Sequence, residues 1–130
     1  MSVDRVRIVV GEGNPAVLRQ LVRMLAAEFE VVGTAENGHT ALRHIRQHKP
    51  TVVVLDLEMP LLNALGVMQQ LKASGSLAAV VVCSLETDPE VIQETQKAGA
   101  LGYVFKTSLA RDLILAVRAA ALGQAFLSSL

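Results

Sequence analysis

Hydrophobic residues along the chain follow two alternating patterns. Short continuous apolar runs, clearest in TVVVLDLEMP at 51–60, are typical of strands that are covered on both faces, as in a parallel sheet. Between these runs, apolar residues recur every three or four positions, which indicates amphipathic helices. The apolar runs predict five strands, at 6–10, 30–35, 52–55, 77–83 and 101–105. Strict alternation of strand and helix then predicts an α/β fold with a doubly wound five-stranded parallel sheet of order 2-1-3-4-5.

Capping residues and helix breakers mark the predicted helix boundaries. The residues suited to cap a helix N-terminus are Asn14, Asn63, Asp88 and Ser108, two of them in Asn14-Pro15 and Asp88-Pro89 pairs. Asn37-Gly38 predicts the turn before the second helix, and Gly123 is placed to end the last one. The pattern predicts one domain at 1–123, followed at 124–130 by a C-terminal tail or the start of a linker to an output domain.

Composition excludes several classes of protein. The 130 residues are 52% apolar, with a mean hydropathy of +0.43, yet no apolar run approaches the roughly 18 residues that a membrane span needs. Twelve basic residues balance twelve acidic ones, so the sequence predicts no direct contact with nucleic acid. The N-terminus lacks a cationic-then-apolar signal pattern, and the single cysteine, Cys83, predicts a buried strand residue. We therefore expect a cytoplasmic domain with no membrane contact.

Four polar residues fall where predicted strands end. These are Glu12 after the first strand, Asp56 after the third, Ser84 after the fourth and Lys106 after the fifth. The strand order brings those carboxyl ends together at one edge of the sheet, where α/β proteins bind ligands. Two carboxylates, a hydroxyl and an ammonium around one crevice indicate a site for phosphate and a metal ion.

Four motifs carry a resemblance to a known family: GEGNP at 11–15, VLDLEMP at 54–60, VVCS at 81–84 and GYVFKTS at 102–108. With them the chain resembles, over essentially its whole length, a bacterial response-regulator receiver domain of CheY-like, flavodoxin-like fold. The last motif, together with AVRAAALGQAFLS at 116–128, is most similar to the receivers of NarL/LuxR-type transcription regulators.

The resemblance implies a role for each crevice residue. Asp56 would be the phosphoacceptor, Ser84 the hydroxyl that follows the phosphoryl group, and Lys106 the cation that pairs with it. Tyr103 would be the aromatic residue whose rotamer reports the state of the switch. Mg²⁺ would be held by Glu12, by Asp56 and by the backbone carbonyl of Glu58.

The implied function is a protein-interaction switch in a two-component phosphorelay, not that of a metabolic enzyme. A sensor histidine kinase or a phosphotransfer protein would supply the phosphoryl group. An output domain outside this chain would control transcription. The domain would not be an enzyme beyond self-catalysed phosphotransfer and dephosphorylation.

Several positions depart from the family pattern. Gly13 stands where the family has a second acid, Leu85 where it has a small residue, and Leu61 and Ala64 where it has glycines. These departures predict that Mg²⁺ binds weakly or not at all, and that phosphorylation is weak. The remaining acidity predicts that Lys106 is drawn toward Asp56. The alternative is a phosphorylation-independent pseudo-receiver, fixed in one state with Leu85 filling the phosphoryl pocket, that acts as a dimerisation or interaction module.

Other functions are weaker alternatives. A flavin-binding domain of flavodoxin-like fold would need aromatic residues for stacking, and the chain has three Phe, one Tyr and no Trp. A hydrolase would need a histidine near the carboxylates, whereas the second helix or its flanks hold His39, His44 and His48. The Gly11-Glu12-Gly13 start of a dinucleotide motif has Ala16 in place of its third glycine.

The last helix predicts an assembly surface. Leu115 and Leu122 lie on the side of this helix away from its core face, and the tail adds Phe126, Leu127 and Leu130. Exposed apolar groups of this kind often mark a partner surface. We expect a homodimer, or a docking site for an output domain, formed through the last helix.

Overall fold

The computed structural model describes residues 5–130. Residues 1–4, which the predicted domain at 1–123 includes, lie outside the described part. The strands are β1 (Arg7–Gly11), β2 (Glu30–Ala35), β3 (Val52–Asp56), β4 (Ala79–Ser84), β5 (Ala100–Phe105) and β6 (Phe126–Leu127). The helices are α1 (Pro15–Ala26), α2 (Gly38–His48), α3 (Ala64–Ala73), α4 (Pro89–Lys97) and α5 (Leu109–Ala121), with a 3₁₀ turn at Lys106–Ser108.

Within residues 5–130 the strands form one parallel sheet of order β2-β1-β3-β4-β5-β6. The α/β class and the order of the first five strands are as predicted. The prediction of five strands is wrong by one, because Phe126 and Leu127 pair with Gly102 and Tyr103 on the outer edge of β5. A strand of two residues is too short to show an apolar period, so only its pairing with β5 defines it.

Helices cover both faces of the sheet. On β3, Val53 and Leu55 pack in the core formed with α2, α3 and α4. Their neighbours Val52 and Val54 pack in the opposite core, formed with α1 and α5. All five residues of β3 are buried, which is the environment that its unbroken apolar run predicts.

Helix capping agrees with the sequence except at α5. The side-chain oxygen of Asn14 accepts hydrogen bonds from the backbone N–H groups of Ala16 and Val17, and Asn63 and Asp88 cap α3 and α4 in the same way. The prediction for Ser108 is wrong, because its hydroxyl makes no capping hydrogen bond. The 3₁₀ turn leads directly into α5 and takes over the start of the helix.

The fourth strand begins later than predicted. Leu77 was expected inside it, but β4 starts at Ala79 and Leu77 is 98% exposed.

In the described part of the chain, no helix combines the length and the apolar character needed to cross a bilayer.

Candidate functional site

The carboxyl ends of the strands form a small polar crevice. Asp56 is the last residue of β3, Ser84 is the last residue of β4, and Lys106 directly follows β5. The crevice encloses about 260 Å³, and its lining residues are Asp56, Glu58, Ser84, Leu85, Glu86 and Lys106. Three of the four residues predicted at the strand ends therefore line the crevice. The fourth, Glu12, is almost fully buried and is not among the lining residues.

Lys106 joins the two acidic residues. Its Nζ lies 2.8 Å from Oε1 of Glu12 and 3.0 Å from Oδ1 of Asp56. The other Glu12 oxygen, Oε2, accepts a hydrogen bond of 3.0 Å from the backbone N–H of Asn14, and Asp56 Oδ1 accepts one of 3.3 Å from the N–H of Glu58. The prediction that Lys106 is drawn toward Asp56 is confirmed, and Glu12 shares the same ammonium group.

Two largely buried carboxylates share the ammonium group of Lys106, and this arrangement shifts the pKa values of Glu12 and Lys106. Burial raises the pKa of Glu12, and the nearby charge of Asp56 adds to the increase, against the hydrogen bonds from Lys106 and Asn14 that lower it. Burial alone would lower the pKa of Lys106, but its hydrogen bonds to Glu12 and Asp56 outweigh that effect and raise it. Lys106 therefore stays charged at neutral pH, while Glu12 ionises less readily than an ordinary glutamate.

The loop after β4 is held by Tyr103. Ser84 Oγ accepts a hydrogen bond of 3.0 Å from the backbone N–H of Glu86, and the Tyr103 hydroxyl donates one of 2.8 Å to the Glu86 carbonyl. The Tyr103 side chain is fully buried, and burial raises the pKa of its phenol. The position of Ser84 is therefore linked to the rotamer of Tyr103 through two hydrogen bonds at Glu86.

Gly13 leaves little room for a side chain. A Cβ atom at this position would lie 3.1 Å from Cδ of Pro60 and 3.8 Å from the carbonyl oxygen of Glu58. The first distance is tight, so Pro60 would have to shift by a few tenths of an ångström. The second distance shows that a side chain at position 13 would start beside the carbonyl that the family resemblance assigns to the metal.

Two of the other unusual positions, Leu85 and Leu61, lie outside the crevice interior. Leu85 lines the crevice but is 72% exposed, so it lies at the rim and does not fill the pocket. Leu61 is also exposed and has a φ of 68°, in the left-handed region where a side chain is unfavourable. The loop after β3 therefore holds a leucine in a backbone conformation that suits glycine.

The donor atoms at the crevice fit Mg²⁺ in chemical type. Mg²⁺ prefers hard oxygen ligands and commonly binds through one or two carboxylates plus water. Asp56 and the Glu58 carbonyl offer such oxygens beside the crevice, and Glu12 offers a third that is already paired with Lys106. Among residues 5–130, however, no group of three or more His, Cys, Asp or Glu side chains is arranged to hold a metal ion.

Sequence reasoning missed the part played by Glu86. Its backbone carbonyl and N–H connect Tyr103 to Ser84, and any residue type except proline at position 86 provides the same two groups. It also missed Asn14 as a donor to Glu12, because Asn14 already had a role as the cap of α1. Backbone contacts of this kind leave no signal in residue identity.

Cys83 and the histidines lie away from the chemistry. Cys83 is buried in β4, as predicted, and burial raises the pKa of its thiol to about 12, which keeps it protonated. His44 and His48 stack on each other along α2, with ring centroids 5.9 Å apart. None of the three histidines lines the crevice, so the hydrolase alternative gains no support.

Comparison with protein families gives a match over most of the chain. Residues 8–118 match the model of the response regulator receiver domain. The chain is 30% identical over 123 residues to a transcriptional regulatory protein named NarL from Mycobacterium tuberculosis, covering 93% of this chain and 57% of that protein. It is also 30% identical over 129 residues to the transcriptional regulatory protein DegU from Brevibacillus brevis, covering 98% of this chain and 55% of that protein. The chain thus spans less than two thirds of the length of these relatives.

A solved structure agrees with the sequence comparisons. The signal receiver domain of a NarL response regulator from Mycobacterium tuberculosis superimposes with a TM-score of 0.90 at 30% sequence identity. The match covers 94% of this chain and the whole of that chain. Fold and sequence therefore point to the same family.

Proposed function

Because the chain belongs to the response regulator receiver domain family, we propose that it accepts a phosphoryl group on Asp56 and uses it to switch a protein-interaction surface. The family membership confirms the resemblance to receivers of NarL/LuxR-type regulators. Receiver domains are mainly signalling domains. The phosphoryl donor that we propose is a sensor histidine kinase or a phosphotransfer protein.

The position of Asp56 carries this proposal. It is the only carboxylate side chain among the described residues that both ends a central strand and lies within 3.0 Å of Lys106 Nζ. It lines the crevice together with Ser84, so a phosphoryl group on its oxygen would have a hydroxyl and an ammonium for neighbours. An ordinary capping aspartate would need neither.

The chemistry is a transfer between two nucleophiles. A carboxylate oxygen of Asp56 attacks the phosphorus of a phosphohistidine, a P–O bond forms, the P–N bond breaks, and the imidazole leaves. Charge spreads over the phosphoryl oxygens in the transition state, so the domain contributes by positioning groups and neutralising charge. Lys106 supplies the positive charge, and Ser84 can donate a hydrogen bond to a phosphoryl oxygen.

Receiver domains of this family typically bind Mg²⁺ at the acidic pocket. Here Asp56, the Glu58 carbonyl and Glu12 are the residues that would hold it, and the bound ion would neutralise phosphoryl charge. We propose that it binds weakly, because Gly13 supplies no carboxylate and Glu12 is paired with Lys106 at 2.8 Å. A ligand role for Glu12 requires Lys106 to give up that ion pair.

The switch that we propose involves the loop after β4. A phosphoryl group on Asp56 would draw the Ser84 hydroxyl toward it, and the Glu86 backbone would move with Ser84. That movement would break the hydrogen bond between Tyr103 and the Glu86 carbonyl and release the buried ring. Packed side chains of this kind have discrete arrangements, which makes the response two-state.

Intact-mass measurement after incubation with a small phosphodonor and Mg²⁺ tests the central proposal. The wild type should gain the mass of one phosphoryl group, and Asp56→Asn should gain none. Asp88→Asn is the control, because Asp88 is an exposed aspartate that does not line the crevice and asparagine can also cap α4, and it should gain the same mass as the wild type. An unmodified wild type at saturating donor and Mg²⁺ would contradict phosphorylation.

Replacement of Gly13 tests the proposed weakness of the metal site. Gly13→Asp should tighten Mg²⁺ binding and speed phosphorylation, because its side chain starts 3.8 Å from the Glu58 carbonyl. Gly13→Ala is the control, since it meets the same tight contact with Pro60 but adds no ligand. Calorimetric Mg²⁺ titration of both variants separates the effect of the carboxylate from that of the contact. Equal Mg²⁺ affinities in Gly13→Asp and wild type would contradict the proposed cause.

A phosphorylation-independent pseudo-receiver is the second candidate. The short Glu12–Lys106 ion pair favours it, because Lys106 then needs no phosphoryl group to be neutralised. Filling of the pocket by Leu85 does not contribute, since that side chain is 72% exposed. Unchanged partner binding in Asp56→Asn, together with no phosphoryl mass on the wild type, would favour this candidate.

The role in transcription rests on relatives that are longer than this chain. We propose that the domain controls an output domain that lies outside it, in the cytoplasm. Leu115 on α5 and Leu122 directly after it are exposed, as are Leu127 and Leu130, and they support a homodimer or an output-domain contact at this helix. We also propose a boundary near residue 123 between the receiver's helices and a tail whose residues Phe126 and Leu127 pair back onto β5. A strict monomer in sedimentation at high concentration would contradict the homodimer.

A further inference from the structure

After α5 the chain returns to the sheet and pairs with the outer edge of β5. Phe126 and Leu127 form β6 and pair in parallel with Gly102 and Tyr103 of β5. The backbone N–H of Ser128 then donates a hydrogen bond of 2.9 Å to the carbonyl of Tyr103. Strand β5 carries Tyr103 and ends immediately before Lys106, so this contact lies on the element that holds one proposed functional residue and leads directly into another.

Ser128 is buried and makes two side-chain hydrogen bonds. Its Oγ accepts a bond of 3.1 Å from the backbone N–H of Phe105 and donates one of 2.7 Å to Oδ2 of Asp112. Only 4% of Ser128 is exposed, and 4% of Phe105. Without the serine hydroxyl, the Phe105 N–H would have no partner at this edge, and an unpaired buried donor is unfavourable.

Asp112 connects this serine to helix α5. Arg111 donates to both Asp112 oxygens, from Nε at 2.9 Å and from a terminal nitrogen at 3.0 Å, and the same nitrogen donates to the Ser129 carbonyl at 2.8 Å. The hydrogen bonds therefore run from the tail through α5 to the last residue of β5. They thus connect β5 and α5, the elements before and after the 3₁₀ turn that contains Lys106.

We propose that Ser128 is a positioning residue for Lys106, so that the tail at 126–129 belongs to the phosphoacceptor apparatus. By fixing the Phe105 N–H, Ser128 sets where β5 ends and hence where the Lys106 ammonium meets Asp56 and Glu12. This inference rests on the proposed function of Asp56. Since coupling between two sites is reciprocal, a phosphoryl group on Asp56 also changes how firmly residues 126–129 are held.

Three variants of the whole chain test the inference. Ser128→Ala removes the hydroxyl, and Ser128→Thr retains it as the conservative variant. Ser129→Ala is the matched control, because Ser129 is exposed and contributes only its backbone carbonyl to the cluster. Nuclear magnetic resonance of the unphosphorylated proteins follows amide exchange at Phe105 and the side-chain signals of Lys106 and Tyr103. Intact mass follows the rate of phosphorylation by a small phosphodonor.

The expected result is specific to position 128. Ser128→Ala should speed amide exchange at Phe105 about tenfold or more, shift the Lys106 signals, and slow phosphorylation several-fold. Ser128→Thr should restore both the signals and the rate, and Ser129→Ala should match the wild type. If exchange at Phe105 speeds up while the Lys106 signals and the rate equal those of Ser129→Ala, Ser128 is only structural and the inference is wrong.

Two further outcomes keep this inference separate from the proposed function. If the wild type gains no phosphoryl mass, the Lys106 signals of the unphosphorylated variants still decide whether Ser128 positions that residue. If Ser128→Ala fails to fold, beryllofluoride with Mg²⁺ on the wild type serves as a phosphoryl mimic. It should change amide exchange at Phe105 and Ser128, and unchanged exchange in a protein shown to bind it would overturn the inference.

Discussion

The crevice and the tail cluster, which consists of Arg111, Asp112 and Ser128, each contain a buried carboxylate, but the two carboxylates have pKa shifts of opposite direction. In the crevice, Glu12 and Asp56 share the single ammonium of Lys106, and the pKa of Glu12 is raised by burial and by its neighbour. In the tail cluster, Asp112 has a two-point contact with Arg111 and a hydrogen bond from Ser128. The hydrogen bonds from Arg111, followed by that from Ser128, hold the pKa of Asp112 below its usual range.

The difference separates the crevice, where we propose phosphorylation, from a cluster that stabilises the fold. A raised carboxyl pKa means that the folded state favours the protonated form, so an ionised Glu12 opposes folding at neutral pH. A lowered pKa means the reverse, so an ionised Asp112 supports folding. The crevice has two carboxylates for one ammonium group, which favours the binding of a further cation there, whereas Asp112 is fully paired with Arg111 and Ser128.

The largest expected effect comes from breaking the tail cluster. Asp112→Ala should lower the free energy of unfolding by about 1–3 kcal/mol, because the buried Ser128 hydroxyl loses its acceptor. Asp112→Asn should cost less, since the amide oxygen can still accept that hydrogen bond. Chemical denaturation of the two variants measures the difference. Equal losses would mean that the hydrogen bond to Ser128 contributes nothing beyond charge.

The fall of the unfolding free energy at acidic pH tests the lowered pKa of Asp112. The folded-state pKa of Asp112 is lowered from its ordinary value of 3.8, so its contribution is complete above that pH and is lost as pH falls through the folded pKa. The stability difference between wild type and Asp112→Asn should therefore shrink below about pH 4. Denaturation at a series of pH values checks this, and a difference that grows on acidification would contradict the assignment.

The corresponding substitution in the crevice should raise the unfolding free energy where Asp112→Asn lowers it. Asp56→Asn removes one of two carboxylates that compete for Lys106, so we expect unfolding free energy to rise by up to about 1 kcal/mol while phosphorylation is lost. The pKa of Glu12 should fall at the same time, because the charge of Asp56 helps to raise it. Carbon-detected titration of Glu12 follows that change. A clear loss of stability would show that Asp56, like Asp112, is fully paired.

The smallest effect concerns the left-handed backbone near each region. Gly123, after α5, has a φ of 75° and is a glycine, whereas Leu61, beside the crevice, has a φ of 68° and is not. Leu61→Gly should relieve strain and stabilise the fold by up to about 1 kcal/mol, partly offset by the flexibility of glycine when unfolded. Leu61→Ala, which retains the Cβ atom, is the control and should give no such gain in melting temperature.

The sequence alone determined the α/β class, the order of the first five strands, and the strand ends that carry Asp56, Ser84 and Lys106. It could do so because burial on both faces leaves an unbroken apolar run, and the end of such a run identifies the residue at the sheet edge. The same argument placed Glu12 directly after β1, but it did not predict the contact between Glu12 and Lys106. Cys83 was likewise predicted as a buried strand residue from its position in an apolar run.

Tertiary structure decided the features that depend on partners distant in the chain. The pairing of β6 with β5 and the hydrogen bonds of Ser128 join residues more than fifteen positions apart, so no local pattern in the sequence indicates them. The exposure of Leu85 and the strained φ of Leu61 depend on the path of a loop, which an apolar pattern does not specify. Residue identity reports which groups are available and which face is buried, whereas the fold alone determines which group each one meets.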